Sequence, residues 1–230
     1  MTKYPTQARL LQALLCVAFL FHLTLANGQQ PAPHSGGKFT LIGISKLPYR
    51  TLYYRNGGEF IPVELEEGGR SSAYSIAAAE FLELYTDHPD PEEKYQLIGK
   101  APLVAGAREM LYFLKHLGSG NKRGLPVTLF GLDDSRAKFS NSSYRFINFM
   151  NQPLLLEFDN ERFGMRAGES KISKLDLPAE GAFTSFRVRN IEKKRLAGTR
   201  LFSSADSREM VLIFPSKPGK RRLDIRYFSD

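Results

Sequence analysis

The 230-residue chain has no tryptophan and a single cysteine, Cys16, which lies inside the apolar run 10–25. Everything after that run is therefore without a thiol, which excludes disulfides, thiolate metal sites and a cysteine nucleophile. Histidine is sparse too, with four residues, of which His22 lies in the same apolar run. His34 stands in a polar segment, His88 in a Pro-rich loop and His116 at the end of an apolar run. No two of them have the spacing of a metal-binding helix, and neither a Gly-x-Ser-x-Gly elbow nor a Gly-rich phosphate loop occurs. His116 has no partner in sequence that would make it a catalytic base. The residues thus imply no catalytic constellation, no metal and no cofactor.

The first 26 residues have the three parts of a secretory signal: Lys3 and Arg9 in a basic start, the apolar run, and Thr24-Leu25-Ala26 as a small-residue cleavage site. As an uncleaved anchor the same run would be short and would carry Gln12, His22 and Thr24. The expectation is an exported protein, periplasmic, cell-surface or extracellular, cleaved near Ala26 and without a transmembrane helix when mature. A flexible leader over 27–37 follows, rich in Pro, Gly and Gln. With no disulfide to staple it, the remaining chain has to be held by its core.

From Lys38 onward the sequence is short apolar runs closed by turn formers, such as Arg55-Asn56-Gly57-Gly58 and Arg166-Ala167-Gly168-Glu169. The stretch 144–170 reads as a compact antiparallel meander. The run 107–117 fits a helix, with Gly118 as its stop, or a strand. An internal comparison bears on that choice. Arg108-Glu109-Met110-Leu111-Tyr112-Phe113 recurs as Arg208-Glu209-Met210-Val211-Leu212-Ile213, Tyr49-Arg50 matches Tyr144-Arg145, the Gly68 turn matches the Gly168 turn, and Leu125, Val127 and Leu129 match Leu223, Ile225 and Tyr227. A tandem repeat of about ninety residues, long enough for a domain per copy, predicts an all-β chain of two antiparallel, immunoglobulin-like β-sandwiches, over 38–131 and 139–230 with a linker at 132–138, and makes 107–117 a strand. The alternation Phe186, Arg187, Val188, Arg189 is that of a sheet with one wet face.

The segment Tyr144-Arg145-Phe146-Ile147-Asn148, followed by Asn151-Gln152-Pro153-Leu154 and the Gly168 turn, resembles a strand pair of exported bacterial two-domain β-sandwich proteins, the periplasmic adaptors of alginate O-acetylation. The resemblance covers about 30 residues and implies a non-catalytic envelope protein that acts by binding. It carries no functional residues into this sequence.

Charge gives the remaining signal. After Ala26 the chain holds 30 Lys and Arg against 24 Asp and Glu; 27–138 is balanced at 13 and 13, and 139–230 holds 17 and 11. Successive turns of the second repeat alternate between its two ends, which gathers Arg166, Lys193, Lys194, Arg195, Lys217, Lys220, Arg221 and Arg222 at one end. Such an end attracts an anionic polymer or an acidic partner surface; for an exported protein with no aromatic stacking cluster read beside the basic residues, nucleic acid is not expected. The acidic loop Asp87, Asp90, Glu92, Glu93 lacks calcium-loop spacing. Asp133-Asp134, between the repeats, suits a loop that satisfies its own backbone. Asn141-Ser142-Ser143 fits a glycosylation acceptor. Three functions remain open: a non-enzymatic binding or adaptor module for an anionic envelope component or a protein partner, an exported polysaccharide hydrolase or lyase with its site between the domains, and a purely structural surface component.

Overall fold

The computed structural model describes residues 36–65, 68–118, 124–178, 180–215 and 223–230. The signal-like segment and most of the leader lie outside them. Among the described residues every regular element is a strand, sixteen in all, and there is no helix long and apolar enough to cross a membrane.

The first eight strands are β1 (Gly37–Gly43), β2 (Leu52–Asn56), β3 (Glu59–Val63), β4 (Tyr74–Ile76), β5 (Phe81–Asp87), β6 (Tyr95–Pro102), β7 (Glu109–His116) and β8 (Val127–Asp133). The second eight are β9 (Ser143–Asn148), β10 (Leu154–Phe158), β11 (Glu161–Met165), β12 (Ser170–Lys174), β13 (Ala182–Arg189), β14 (Arg195–Ser203), β15 (Arg208–Pro215) and β16 (Leu223–Ser229). They form four sheets in the orders β4-β1-β7-β8, β3-β2-β5-β6, β12-β9-β15-β16 and β11-β10-β13-β14. Adding eight to each strand of the first sandwich gives the second, so the chain is two tandem sandwiches of one topology. Even the irregularities repeat. A bulge between Leu84 and Tyr85 on β5 recurs between Val188 and Arg189 on β13, and Leu84 and Val188 face equivalent partners, Tyr54 and Leu156.

Each sandwich closes over its own core. Phe39, Leu41, Leu52, Tyr54, Leu82 and Leu84 are among those filling the first; Tyr144, Phe146, Leu156, Phe158, Phe186 and Val188 are among those filling the second. A third cluster, including Ile42, Leu111, Phe113, Phe139, Ile147, Met210 and Leu212, lies between the two inner sheets, β4-β1-β7-β8 and β12-β9-β15-β16. The molecule is therefore four layers deep, outer sheet, inner sheet, inner sheet, outer sheet. The run 107–117 is the strand β7, and both β7 and β15 are apolar on both faces because each serves two cores. Helical spacing in such a run arises from continuous burial rather than from one buried stripe.

Three finer readings are corrected. Residues 144–170 are not one meander: β9 and β12 pair in the inner sheet, while the hairpin β10–β11 crosses to the outer one. Tyr49 lies in the loop after β1, and the structural counterpart of Tyr144 is Phe39, each facing its own core and pairing with the equivalent strand neighbours. The Arg-Glu-Met match is one residue out of register, because Phe39 pairs with Met110 whereas Tyr144 pairs with Glu209. A one-residue slip exchanges faces. Met110 accordingly packs in the first core and Met210 between the sandwiches.

The two sandwiches lie with like ends together. Phe149, just after β9, packs on Phe113 with ring centroids 5.4 Å apart, and Arg226 Nη1 donates to the Ile44 carbonyl just after β1 at 3.1 Å. At the opposite ends an ionic cluster joins them. Asp134 accepts from Arg70, stands 3.3 Å from Arg208 Nη2 and 3.5 Å from Arg145 Nη1. Asp230 stands 2.7 Å from Arg70 and 2.5 Å from Arg208. Of the acidic pair expected to satisfy its own loop backbone, Asp133 does so, accepting the Ser135 N–H at 3.0 Å, whereas the Asp134 carboxylate faces the arginines instead.

Candidate functional site

In the second sandwich the loops 149–153, 166–169 and 190–194 share one end, as the pairing directions of β9 to β14 require. Lys217, Lys220, Arg221 and Arg222 lie outside the described residues. Of the other four basic residues, Arg166 and Lys193 line one cleft of about 690 Å³, together with Leu154, Leu155, Met165 and Ile191. Lys171 and Glu169 complete its polar rim. Lys194 and Arg195 lead from the same hairpin tip into β14.

The loops at this end are held from below. Asn148, fully buried, donates from its amide to the carbonyls of Gln152 and Arg166 at 3.0 and 2.9 Å. Its side-chain oxygen accepts the Met150 N–H at 2.9 Å. The Arg166 N–H donates to Glu169 at 2.6 Å across a turn in which Gly168 takes φ 73°. Across the cleft, the 190–194 hairpin closes through Asn190, whose side chain accepts the Lys194 N–H at 2.8 Å. Its tip holds Lys193 at φ 62°, a left-handed position normally given to glycine, and leaves Ile191 73% exposed. A charged residue in a strained position beside an exposed apolar one is the kind of local compromise found where loops bind.

The structure adds a surface that the loop count did not reveal. The outward face of the outer sheet β11-β10-β13-β14 carries Arg162, Arg187, Arg189, Arg195 and Arg200 around one acid, Glu157. Strand pairing fixes this: Arg162 lies opposite Glu157, Glu157 opposite Arg187, Arg187 opposite Gly198, and Ser185 opposite Arg200. Gly198 leaves room for the Arg195 guanidinium, since a Cβ there would sit 2.6 Å from Arg195 Nη2. Glu157 stands 3.1, 3.5 and 3.7 Å from Arg189, Arg162 and Arg187, and its hydrogen bond from Arg189 holds its carboxyl below the usual range. Arg189 also donates to the Lys193 carbonyl at 3.0 Å, tying this face to the hairpin tip.

Beside the arginines lies an exposed aromatic pair. Phe183 and Phe202 face each other across β13 and β14, 60% and 46% exposed, with ring centroids 5.1 Å apart. Arg200 stands over the Phe183 ring at 5.3 Å. The pair was legible only as two separate Phe in strand runs; their alignment depends on register. The face is less basic at its far end, where Glu157, Asp159 and Glu161 border a shallow cleft of about 440 Å³ with Arg162 and Arg187. A depressed Glu157 is a poor proton donor, unlike the raised carboxyl that a glycosidase acid requires.

The first sandwich has a different outward face. Phe60 stacks on Tyr95 at 3.9 Å and meets Tyr85 edge-on at 4.8 Å, while Tyr53 meets Tyr95 at 4.9 Å. These rings cover one another, and Glu83 is paired with Lys100 at 2.8 Å. The junction between the sandwiches is occupied by the third apolar cluster and the Arg/Asp network. His116 ends β7, its ring edge-on to Tyr49 at 6.0 Å. In the acidic loop His88 Nδ1 accepts the Asp90 N–H at 3.0 Å. Among the described residues no three His, Cys, Asp or Glu side chains are grouped to hold a metal.

What the residues define is a tandem β-sandwich with one strongly basic, partly aromatic face. No protein-family model matches the chain. No curated protein matches it either.

Proposed function

We propose that the protein is an exported, non-catalytic binding module that takes an anionic polysaccharide across its second sandwich, from the Arg166–Lys193 cleft onto the arginine-rich face. The observation that carries this reading is the gathering of five arginines on the solvent-facing side of one sheet, with Glu157 among them and Asp159 and Glu161 at its far end. These guanidiniums stay open to solvent: the Arg162 and Arg187 side chains are 75% and 51% exposed even though they stand 3.5 and 3.7 Å from Glu157, and Arg195 and Arg200 are exposed. Arginine presents a planar fork suited to carboxylates and sulfates. The Phe183 and Phe202 rings offer an apolar surface to the hydrophobic face of a sugar ring. Export follows from the signal-like first 26 residues.

The test is affinity for polygalacturonate against neutral dextran. Binding is expected to polygalacturonate only and to weaken steeply with salt. Reversing Arg195 and Arg200 to Glu cancels the excess charge of the face, and affinity should fall at least tenfold at low salt. Phe183→Ala should weaken binding without altering its salt dependence. Retention of the double variant that equals the parent and ignores salt would refute the reading.

A further inference from the structure

We infer that the first sandwich carries a second site for the same anionic chain, in a cleft lined by Lys46, Arg50 and Arg226, so that the protein grips a polyanion at two points. The inference rests on the binding function proposed above. The cleft has a volume of about 520 Å³ and opens over Leu52 and Val63. Those two residues pair at the end of the β2–β3 hairpin as Leu154 and Met165 pair at the end of β10–β11. Leu154 and Met165 line the Arg166–Lys193 cleft. The duplicated fold therefore leaves the same opening twice, at the end where the two sandwiches lie alike.

The lining chemistry also repeats, from different residues. An apolar floor is provided by Leu47, Leu52, Val63 and Leu65 in one cleft and by Leu154, Leu155, Met165 and Ile191 in the other. Each has three cations, Lys46, Arg50 and Arg226 in the first, Arg166, Lys171 and Lys193 in the second. No carboxylate lines the first among the described residues; Glu66 and Glu67 lie outside them. Lys46 and Arg50 are exposed. Arg226 comes from the other sandwich and is pre-positioned, held by Asp224 at 3.2 Å and stacked over Phe214 at 4.9 Å. The charge is complementary to an acidic polymer, and the apolar floors suit the ring faces between its carboxylates.

Two sites on one rigid frame multiply affinity for a chain long enough to span them and do nothing for a short one. The experiment titrates short oligogalacturonate and long polygalacturonate into the full chain by calorimetry. The parent should bind two short oligomers per chain. Lys46→Glu with Arg50→Glu, both on the surface and outside the core, should reduce this to one and lower affinity for the long polymer about 10²-fold, the scale of lost bivalency. Arg166→Glu with Lys193→Glu should do the same from the other side. A parent stoichiometry of one, or a Lys46/Arg50 variant indistinguishable from the parent on the long polymer, overturns the second site and leaves the first standing. No binding of either probe by the parent overturns both.

Discussion

Replacing Asp134 by Asn should remove the ionic keystone between the sandwiches while leaving its volume intact. The Asp134 side chain is only 5% exposed and faces three guanidiniums, of which those of Arg145 and Arg208 are 3% and 8% exposed. In the native cluster three arginines meet two acids; in the variant Arg70 and Arg208 keep Asp230, at the more open edge where its side chain is 33% exposed, and Arg145 loses the carboxylate it faces. Burial already disfavours the charge on Arg145, lowering its pKa, and Asp134 is the first group opposing that effect. Arg145 Nε and Nη1 also have no hydrogen-bond acceptor among the described residues. Leaving such charges uncompensated costs about 3–5 kcal/mol, a large share of the roughly 5–15 kcal/mol that holds a folded protein. Urea denaturation followed by intrinsic tyrosine fluorescence measures it. Adding Arg145→Met to Asp134→Asn removes one of the stranded charges at similar volume and should recover part of the loss. A loss below about 1 kcal/mol for Asp134→Asn, or a double variant no better than the single, would show that the cluster is solvated rather than buried and would refute the argument.

Two further outcomes follow from the geometry. Lys193→Gly should raise stability by about 1 kcal/mol by relieving the left-handed backbone, while weakening polygalacturonate binding; a thermal midpoint that falls would mean the tip is not strained. In acid, Asp230 sets a limb of its own. Burial pushes its carboxyl up, but the charge of Arg70 and the hydrogen bonds from Arg208 outweigh that and leave it below the usual carboxylate range. Its folded pKa being lowered, its contribution is complete above about pH 4, the ordinary value, and is lost as pH falls from there toward the folded pKa. Asp230→Asn should lower stability near neutrality and flatten the decline below that point, as read from denaturation midpoints across pH; an unchanged slope would remove Asp230 from the linkage.

The strand content was legible because turn formers are local. Gly57 and Gly58 take φ 57° and 101° at the hairpin tip, and Gly168 takes φ 73° before β12, so the runs between such points could be read one at a time. Partnership was not legible, because pairing is non-local. Nothing in Tyr144-Arg145-Phe146-Ile147-Asn148 says that β9 lies parallel to β15, some sixty residues later. That the Arg166 turn and the Lys193–Lys194 turn share one end was visible through turn counting, which needs only alternation along the chain. The arginine face was hidden for the opposite reason: Arg162, Arg187 and Arg200 come from three strands, and their alignment depends on the β10–β11, β10–β13 and β13–β14 registers. Arg187 and Arg189 alone gave the alternation that a wet face requires.

The repeat itself shows why a sequence match cannot place a residue on a face. Phe39 corresponds to Tyr144, Leu52 to Leu154, Met110 to Glu209 and Asp133 to Ser229, so the spacing between equivalent residues shrinks along the chain as loops shorten. A fixed offset aligns Arg108 with Arg208, but the fold places Arg208 where the first sandwich has Glu109: the Asp134 N–H donates to the Glu109 carbonyl as the Asp230 N–H donates to that of Arg208. The same shift decides the contact between the sandwiches. Asp134 and Asp230 are counterparts, and near-twofold packing brings them to one cluster, where two carboxylates would repel. The arginines that separate them are not counterparts of one another. Arg145 stands where the first sandwich has Thr40, and Arg70 where the second has Ser170. Arg70 uses that asymmetry directly, donating from Nε to Thr40 at 3.0 Å while its two other nitrogens reach the two acids. The first sandwich thus supplies one arginine and the second supplies two. An exact second copy of either half would lack this complement, so the two halves, alike in fold, are not interchangeable across the contact that joins them.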